Sequence, residues 1–258
     1  MDIIFETHLK NLEHYLLSLL SKNMENGNQI AIWRKPKSSY IQILIDKTGI
    51  TKRVSPNLEE LPSGFIIHPF EDQSDQKAYF MEADSYFKID IGIPIEEQKE
   101  TLEEVGFSTP VSELKRTMRK VITEINSNEE VFLDTEKESF MELVEKGIHS
   151  IQKGELHKIV PAKIKKVKLN PDFDLVKSFN RLVQSYPNAF VNFFHLPDVG
   201  TWMGASPEIL IQTKGDEFQT ISLAGTQKAQ GENPLKSAAW TQKEIEEQAL
   251  VSRYIVDC

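Results

Sequence analysis

The chain has 258 residues, 40% hydrophobic and 27% charged, with 30 basic and 39 acidic side chains giving a formal net charge of −9. That balance describes a globular protein able to bury a sizeable core, and it argues against non-specific attachment to nucleic acid or to an anionic membrane surface. The lone cysteine, Cys258, excludes an intramolecular disulfide and a CxxC metal site, which fits a reducing, cytoplasmic setting.

The N-terminus carries acids at Asp2 and Glu6 on a periodic apolar pattern, unlike the basic stretch and unbroken apolar run of a signal peptide. No stretch approaches the roughly 20 apolar residues of a membrane span. Leu9, Leu12, Leu16, Leu19 and Leu20 recur at three- and four-residue steps, which predicts a helix over about 3–23 with one face on a core. The runs at 29–33, 39–45, 64–70 and 77–83 are rich in β-branched and aromatic residues and read as strands. Residues 84–108 give mixed signals. Thr109 and Pro110 supply a cap and first-turn proline for a helix to about Ile125.

Phe140, Leu143, Val144, Ile148 and Ile151 line the face of a further helix, with Gly154 at its expected C-terminal cap. The segment 157–169 reads as a strand interrupted by Pro161, so as an edge or a bulge. A helix starting at Asn170-Pro171 carries Leu175, Phe179, Leu182 and Val183, and Pro187 ends it. Strands are expected at 189–196, 201–213 and 218–226, then an exposed loop over 227–239. Thr241 and Glu244 have capping-box spacing, opening a last helix whose apolar pattern is still running at Cys258, so the chain reads as cut short. Helices interspersed with antiparallel strands give an α+β fold.

Four features could carry chemistry. Lys158 lies early in an apolar segment, where a poorly solvated amine could act as a base; the plainer reading of the pattern is that it points to water, as expected of its neighbours Lys163, Lys165, Lys166 and Lys168. Glu208 follows Gly204-Ala205-Ser206-Pro207 at a strand bend, either as a general acid or as a turn-capping glutamate. Glu244, Glu246 and Glu247 offer oxygen ligands of the kind magnesium takes, or simply a solvated helix face. Gly225, between Ala224 and Thr226, either lets backbone approach a ligand closely or ends a strand. The six histidines show no HxxxH or HxH spacing and read as structural or solvated.

In order, KIVPAK at 158–163, GASPEILI at 204–211, SLAGT at 222–226 and KEIEEQ at 243–248 resemble the chorismate-binding enzymes. That family includes isochorismate, salicylate, anthranilate and aminodeoxychorismate synthases, and the blocks cover about residues 140–258. The resemblance implies a single α+β domain of the anthranilate synthase component I type, antiparallel sheets with outer helices. In it, 1–139 form the variable N-terminal half and 140–258 the start of the motif-bearing half, the whole incomplete at the C-terminus. It implies chorismate as substrate, Mg2+ as cofactor, no nucleic-acid or membrane partner, and a monomer when full length.

Carried over by position, Lys158 matches the base that activates water for attack at C2 of chorismate. Glu208 matches the acid that protonates the departing C4 hydroxyl, Glu247 a magnesium-site acid, and Ala224, Gly225 and Thr226 the pocket-lining turn. A lysine at 158 points to water rather than ammonia as nucleophile. Ala224 stands where aminodeoxychorismate synthases place a covalent lysine. The resemblance therefore favours isochorismate synthase, serving menaquinone or siderophore synthesis, with salicylate synthase or a non-catalytic chorismate-binding domain as alternatives. Pro161-Ala162-Lys163 departs from the usual Leu-Ser-Arg type of sequence, and Gln248 stands where histidine is common. The resemblance also implies a second magnesium-site glutamate and substrate-binding basic residues that are not found within these 258 residues, so this stretch alone is expected to turn over little or no substrate.

Overall fold

The computed structural model describes residues 3–70, 77–98, 109–126, 135–170, 172–229, 231, 233 and 237–258, without the side chains of 3–9 and 122–126. Helix α1 (Ile3–Glu25) leads into the hairpin β1 (Gln29–Arg34) and β2 (Tyr40–Asp46). Short strands β3 (Lys52–Val54), β4 (Gly64–Ile67) and β5 (Ala78–Glu82) follow, then β6 (Ser85–Asp90) and a 3-10 turn at Ile95–Glu97. Next come α2 (Val111–Asn126), α3 (Lys137–Gln152) and α4 (Leu175–Ser185), the hairpin β7 (Phe190–Leu196) and β8 (Gly200–Ser206), the short pair β9 (Gln212–Lys214) and β10 (Glu217–Gln219), and α5 (Gln242–Asp257).

Five strands form one antiparallel sheet in the order β6-β2-β1-β7-β8. Thus β7, some 160 residues along the chain from β1, completes the sheet on the other side of β1, with Ile32 opposite Phe193. Side chains of a strand alternate between faces, and here both faces are covered. On one face Ile30, Ile32, Ile41, Ile43, Ile45, Phe87, Ile89, Val191 and Phe193 pack with Leu12, Leu16, Leu19 and Leu20 of α1, Leu114 and Met118 of α2, and Phe179 and Val183 of α4. On the other face Ala31, Trp33, Leu44 and Leu196 meet Met81 and Phe65 of the small sheet β3-β5-β4. That double burial is why β1 and β2 are apolar almost without alternation. The leucine stripe of α1 is therefore a core stripe; the Leu9 side chain lies outside the described residues.

Several expected elements differ. Strand β6 falls in the stretch of mixed signals, with Phe87 and Ile89 buried and Tyr86 and Lys88 outward. Helix α4 starts at Leu175 rather than at 170–171, because the Asp174 side chain caps it by accepting the Lys177 N–H at 3.1 Å. Segment 157–169 is not a strand: Pro161 has no N–H, and no neighbouring strand among the described residues supplies a ladder. It is tied instead to Thr135, whose N–H donates to Ile164 O and whose Oγ1 accepts the Ile164 N–H, both at 3.0 Å. The strand expected over 201–213 breaks after Ser206, at Pro207, and the one expected over 218–226 shrinks to β10.

The elements after residue 136, apart from α4, β7 and β8, add nothing to either core cluster. Helix α3 buries only Gly147, where a Cβ would come within 3.0 Å of Ile159 Cγ2. Its apolar stripe is uncovered at Leu143, Ile148 and Ile151. Val160, Val167, Leu210 and Phe218 are exposed as well.

Two buried polar side chains fasten the sheet. Arg34, 2% exposed at the end of β1, donates to the carbonyls of Tyr186, Pro187 and Ala189 at 2.6, 2.8 and 3.2 Å, which pins the α4–β7 connection to β1. His195, 1% exposed, shares a 2.9 Å hydrogen bond with Thr201 Oγ1 across the β7–β8 hairpin, and burial pushes its pKa down to about 4.

Two outcomes follow from these contacts. Arg34→Met removes a donor from the Tyr186, Pro187 and Ala189 carbonyls, although Tyr186 O keeps the Ala189 N–H and Pro187 O the Lys37 N–H, so unfolding in urea should show a loss of about 1–3 kcal/mol; a loss below about 0.5 kcal/mol would mean the clamp is dispensable. For His195, the unfolded imidazole takes up its proton near pH 6.5 and the folded one only near pH 4. The unfolded state therefore binds more protons in that window, and stability should fall by about 3 kcal/mol as pH drops through it. A pH titration of unfolding should lose this component in His195→Gln.

Candidate functional site

Helix α5 organises the site. Its N-terminus is fixed by Thr241, whose N–H donates to Glu244 Oε2 at 3.0 Å and whose hydroxyl bonds the same carboxylate, the capping box expected from the spacing. Residues 244, 247 and 248 then fall on one side of the helix, because neighbours three and four apart share a face.

Two segments converge on that side. From one direction comes Lys158, whose Nζ lies 3.0 Å from Glu247 Oε1. From the other comes the segment 222–226. Gly225 meets the helix backbone so closely that a Cβ would sit 2.6 Å from the Glu244 carbonyl oxygen, a contact only glycine permits. The close approach seen here is to the α5 backbone, not to a ligand.

Gln248 locks the segment: its Oε1 accepts the Ala224 N–H at 3.0 Å, while its Nε2 donates to Ser222 O and Oγ at 3.0 and 2.9 Å. Beside these contacts lies a cavity of about 440 Å³ lined by Gly225, Trp240, Glu244, Ile245, Gln248 and Ala249. Its size and mixed lining suit a small molecule.

The charged groups differ in how they are engaged. Glu244 is held ionised below the usual carboxylate range, first by the Thr241 hydroxyl and further by Gln227, whose Nε2 lies 3.3 Å from Oε2. Its carboxylate is thus committed to the helix cap. Lys158 and Glu247 are 29% and 36% exposed, and a pair that open is worth about 0–1 kcal/mol. The contact can be exchanged for another without cost to the fold.

Among the described residues no three histidine, cysteine or acidic side chains gather as a metal-ligand set. Glu247 offers one carboxylate, which fits magnesium's habit of taking one or two and completing its shell with water and ligand oxygens.

The site residues expected from the sequence are distributed unevenly. Lys158, Glu247, Ala224 and Gly225 come together on α5, and Thr226 follows at the exposed end of the segment. Glu208 makes no hydrogen bond or ion pair with them; it is exposed just past β8, with its backbone N–H 3.3 Å from Ser206 Oγ in a turn-capping geometry. Sequence reasoning missed Gln248 as a contact residue, noting only its departure from histidine, and missed Trp240 and Gln227. The available signal was periodicity: Gln248 is four residues from Glu244, on the face that meets the segment 222–226.

No helix among the described residues is long and apolar enough to cross a membrane. Searches of curated proteins and of solved structures returned no match. The family model described as "Chorismate binding enzyme" matches residues 80–258, beginning well ahead of the motif blocks. That match spans more than half of the sequence, and the chain belongs to the chorismate-binding enzyme family.

Proposed function

We propose that the protein is an isochorismate synthase, using water as nucleophile on chorismate. The observation that carries this reading is the convergence of Lys158 with Glu247 on the face of α5 that also receives the Gly225 segment. A lysine 89 positions away in sequence is brought to the carboxylate that would hold the metal, and the segment carries alanine rather than lysine at 224. Both features favour water over ammonia or a covalent lysine intermediate.

In this reading Lys158 removes a proton from water as its oxygen bonds to C2 of chorismate. The C1=C2 and C5=C6 double bonds move to C1=C6 and C4=C5, the C4–O bond breaks, and Glu208 delivers a proton to the departing hydroxide. One water enters and one leaves, so the reaction is an isomerisation. Lys158 is a donor to Glu247 as the pair stands, so its base role requires Glu247 to be engaged elsewhere. Magnesium held by Glu247 would supply the positive charge that binds the substrate carboxylate. Glu208, exposed and in a turn-capping geometry, would reach the C4 side only when the substrate fills the space between it and α5.

The test is product chromatography with chorismate and magnesium on the protein made from its complete reading frame. Isochorismate is the expected product, and Lys158→Ala should lower its formation by about 10²–10⁴-fold. Salicylate with pyruvate would move the assignment to salicylate synthase. Binding of chorismate without any product would make it a non-catalytic binding domain.

The metal role has its own check. Chelation should abolish turnover, and Glu247→Gln should raise the magnesium concentration needed for half-maximal activity by at least about tenfold, no less than the loss of an outer-shell partner. An unchanged magnesium requirement would remove Glu247 from the metal site.

A further inference from the structure

Gln248 makes contacts with no counterpart in the reaction as described. Its carboxamide engages the Ala224 N–H and the Ser222 carbonyl, which point the same way from an extended segment and would ordinarily be taken by a neighbouring strand. Among the described residues no strand pairs with 222–225, so the side chain stands in for one. Ser252, one turn further along α5, lies beside it: Ser252 Oγ donates to the Gln248 backbone carbonyl at 3.0 Å and lies 3.2 Å from Ser222 Oγ.

The consequence is positional. One helical turn before Gln248, the Glu244 carbonyl sits against Gly225 with no room for a Cβ. The height of the segment above α5 is therefore set by the reach of one side chain, and Gly225, Gln248 and Glu244 all line the same cavity. A planar carboxamide presents its acceptor and donor side by side. An imidazole, the group common at this position in the resembling sequences, directs its two nitrogens apart and cannot take both backbone groups. We propose that Gln248 is a positioning residue of the chorismate site, holding 222–225 in the register at which Gly225 lines the cavity. This inference rests on chorismate being the ligand of that cavity.

Two variants of the full-length protein test it. Gln248→Met keeps the volume and removes both partners; Gln248→Glu is isosteric, keeps an acceptor for Ala224 and loses the donor to Ser222. Hydrogen exchange of the Ala224 amide should be roughly tenfold faster in the methionine variant and less affected in the glutamate variant. In both, KM for chorismate should rise roughly tenfold while kcat changes by less than about twofold, because Lys158 and Glu208 are untouched.

Wild-type exchange at Ala224 in Gln248→Met would overturn the clamp. Faster exchange with unchanged KM would overturn the positioning role and leave a purely structural one. If the methionine variant does not fold, the glutamate variant decides through its KM. Absence of any chorismate binding by the wild type is a separate result, which removes the ligand assignment and this inference with it.

Discussion

The structure depends on burying the sheet on both of its faces. Strand β1 sits at the centre, paired with β2 on one side and β7 on the other, and every residue from Gln29 to Arg34 is buried. A buried strand must satisfy all its backbone groups through its neighbours, so β1 cannot be completed by the N-terminal hairpin alone. It requires β7, and with β7 come the α4 connection and the carbonyls that Arg34 holds. The early part of the chain and the part carrying β8 and Glu208 are thereby made one unit, and the later motif segments hang from the edge of that unit.

This constraint explains which parts of the fold are legible in the sequence. Continuous apolar runs such as Ile43 to Ile45 announce strands buried on both faces, and the leucine stripe of α1 announces the helix that covers one of them. The charged strand β3, Lys52 to Val54, carries no such mark, because β5 holds it by backbone pairing and not by an apolar face. Segment 157–169 errs the other way. Its β-branched residues satisfy the local preference for a strand, but strand formation needs a partner, and local composition does not report partners.

The candidate site is legible to a similar degree and for a related reason. Lys158, Gly225 and Glu247 are each unremarkable alone; only their order along the chain beside a known pattern suggests that they belong together. What brings them together is the 3.6-residue period of α5, which lays 244, 247 and 248 along one side. Gln248 was hidden because glutamine in a helix has no chemistry that singles it out. Its role exists only once the Ala224 N–H and Ser222 carbonyl are opposite it. Glu208 shows the limit from the other side, since a matching motif position leads to an exposed side chain in a turn.

The Lys158–Glu247 contact has a further implication for how such a site could work. A strong ion pair, deeply buried and fully bonded, would resist any ligand that had to separate it. This one is open to water on both sides, so its two members are held near each other at small energetic gain. The ammonium balances the carboxylate, and a cation bound to Glu247, as proposed, would release the lysine. If Lys158 is the base and Glu247 the metal ligand, as proposed, their pairing at rest would leave neither charge uncompensated on α5, the helix that also forms the apolar cavity wall at Ile245 and Ala249. On the proposed roles, the same pairing would make availability of the base conditional on occupation of the carboxylate, linking readiness for proton transfer to the presence of the group that binds the substrate.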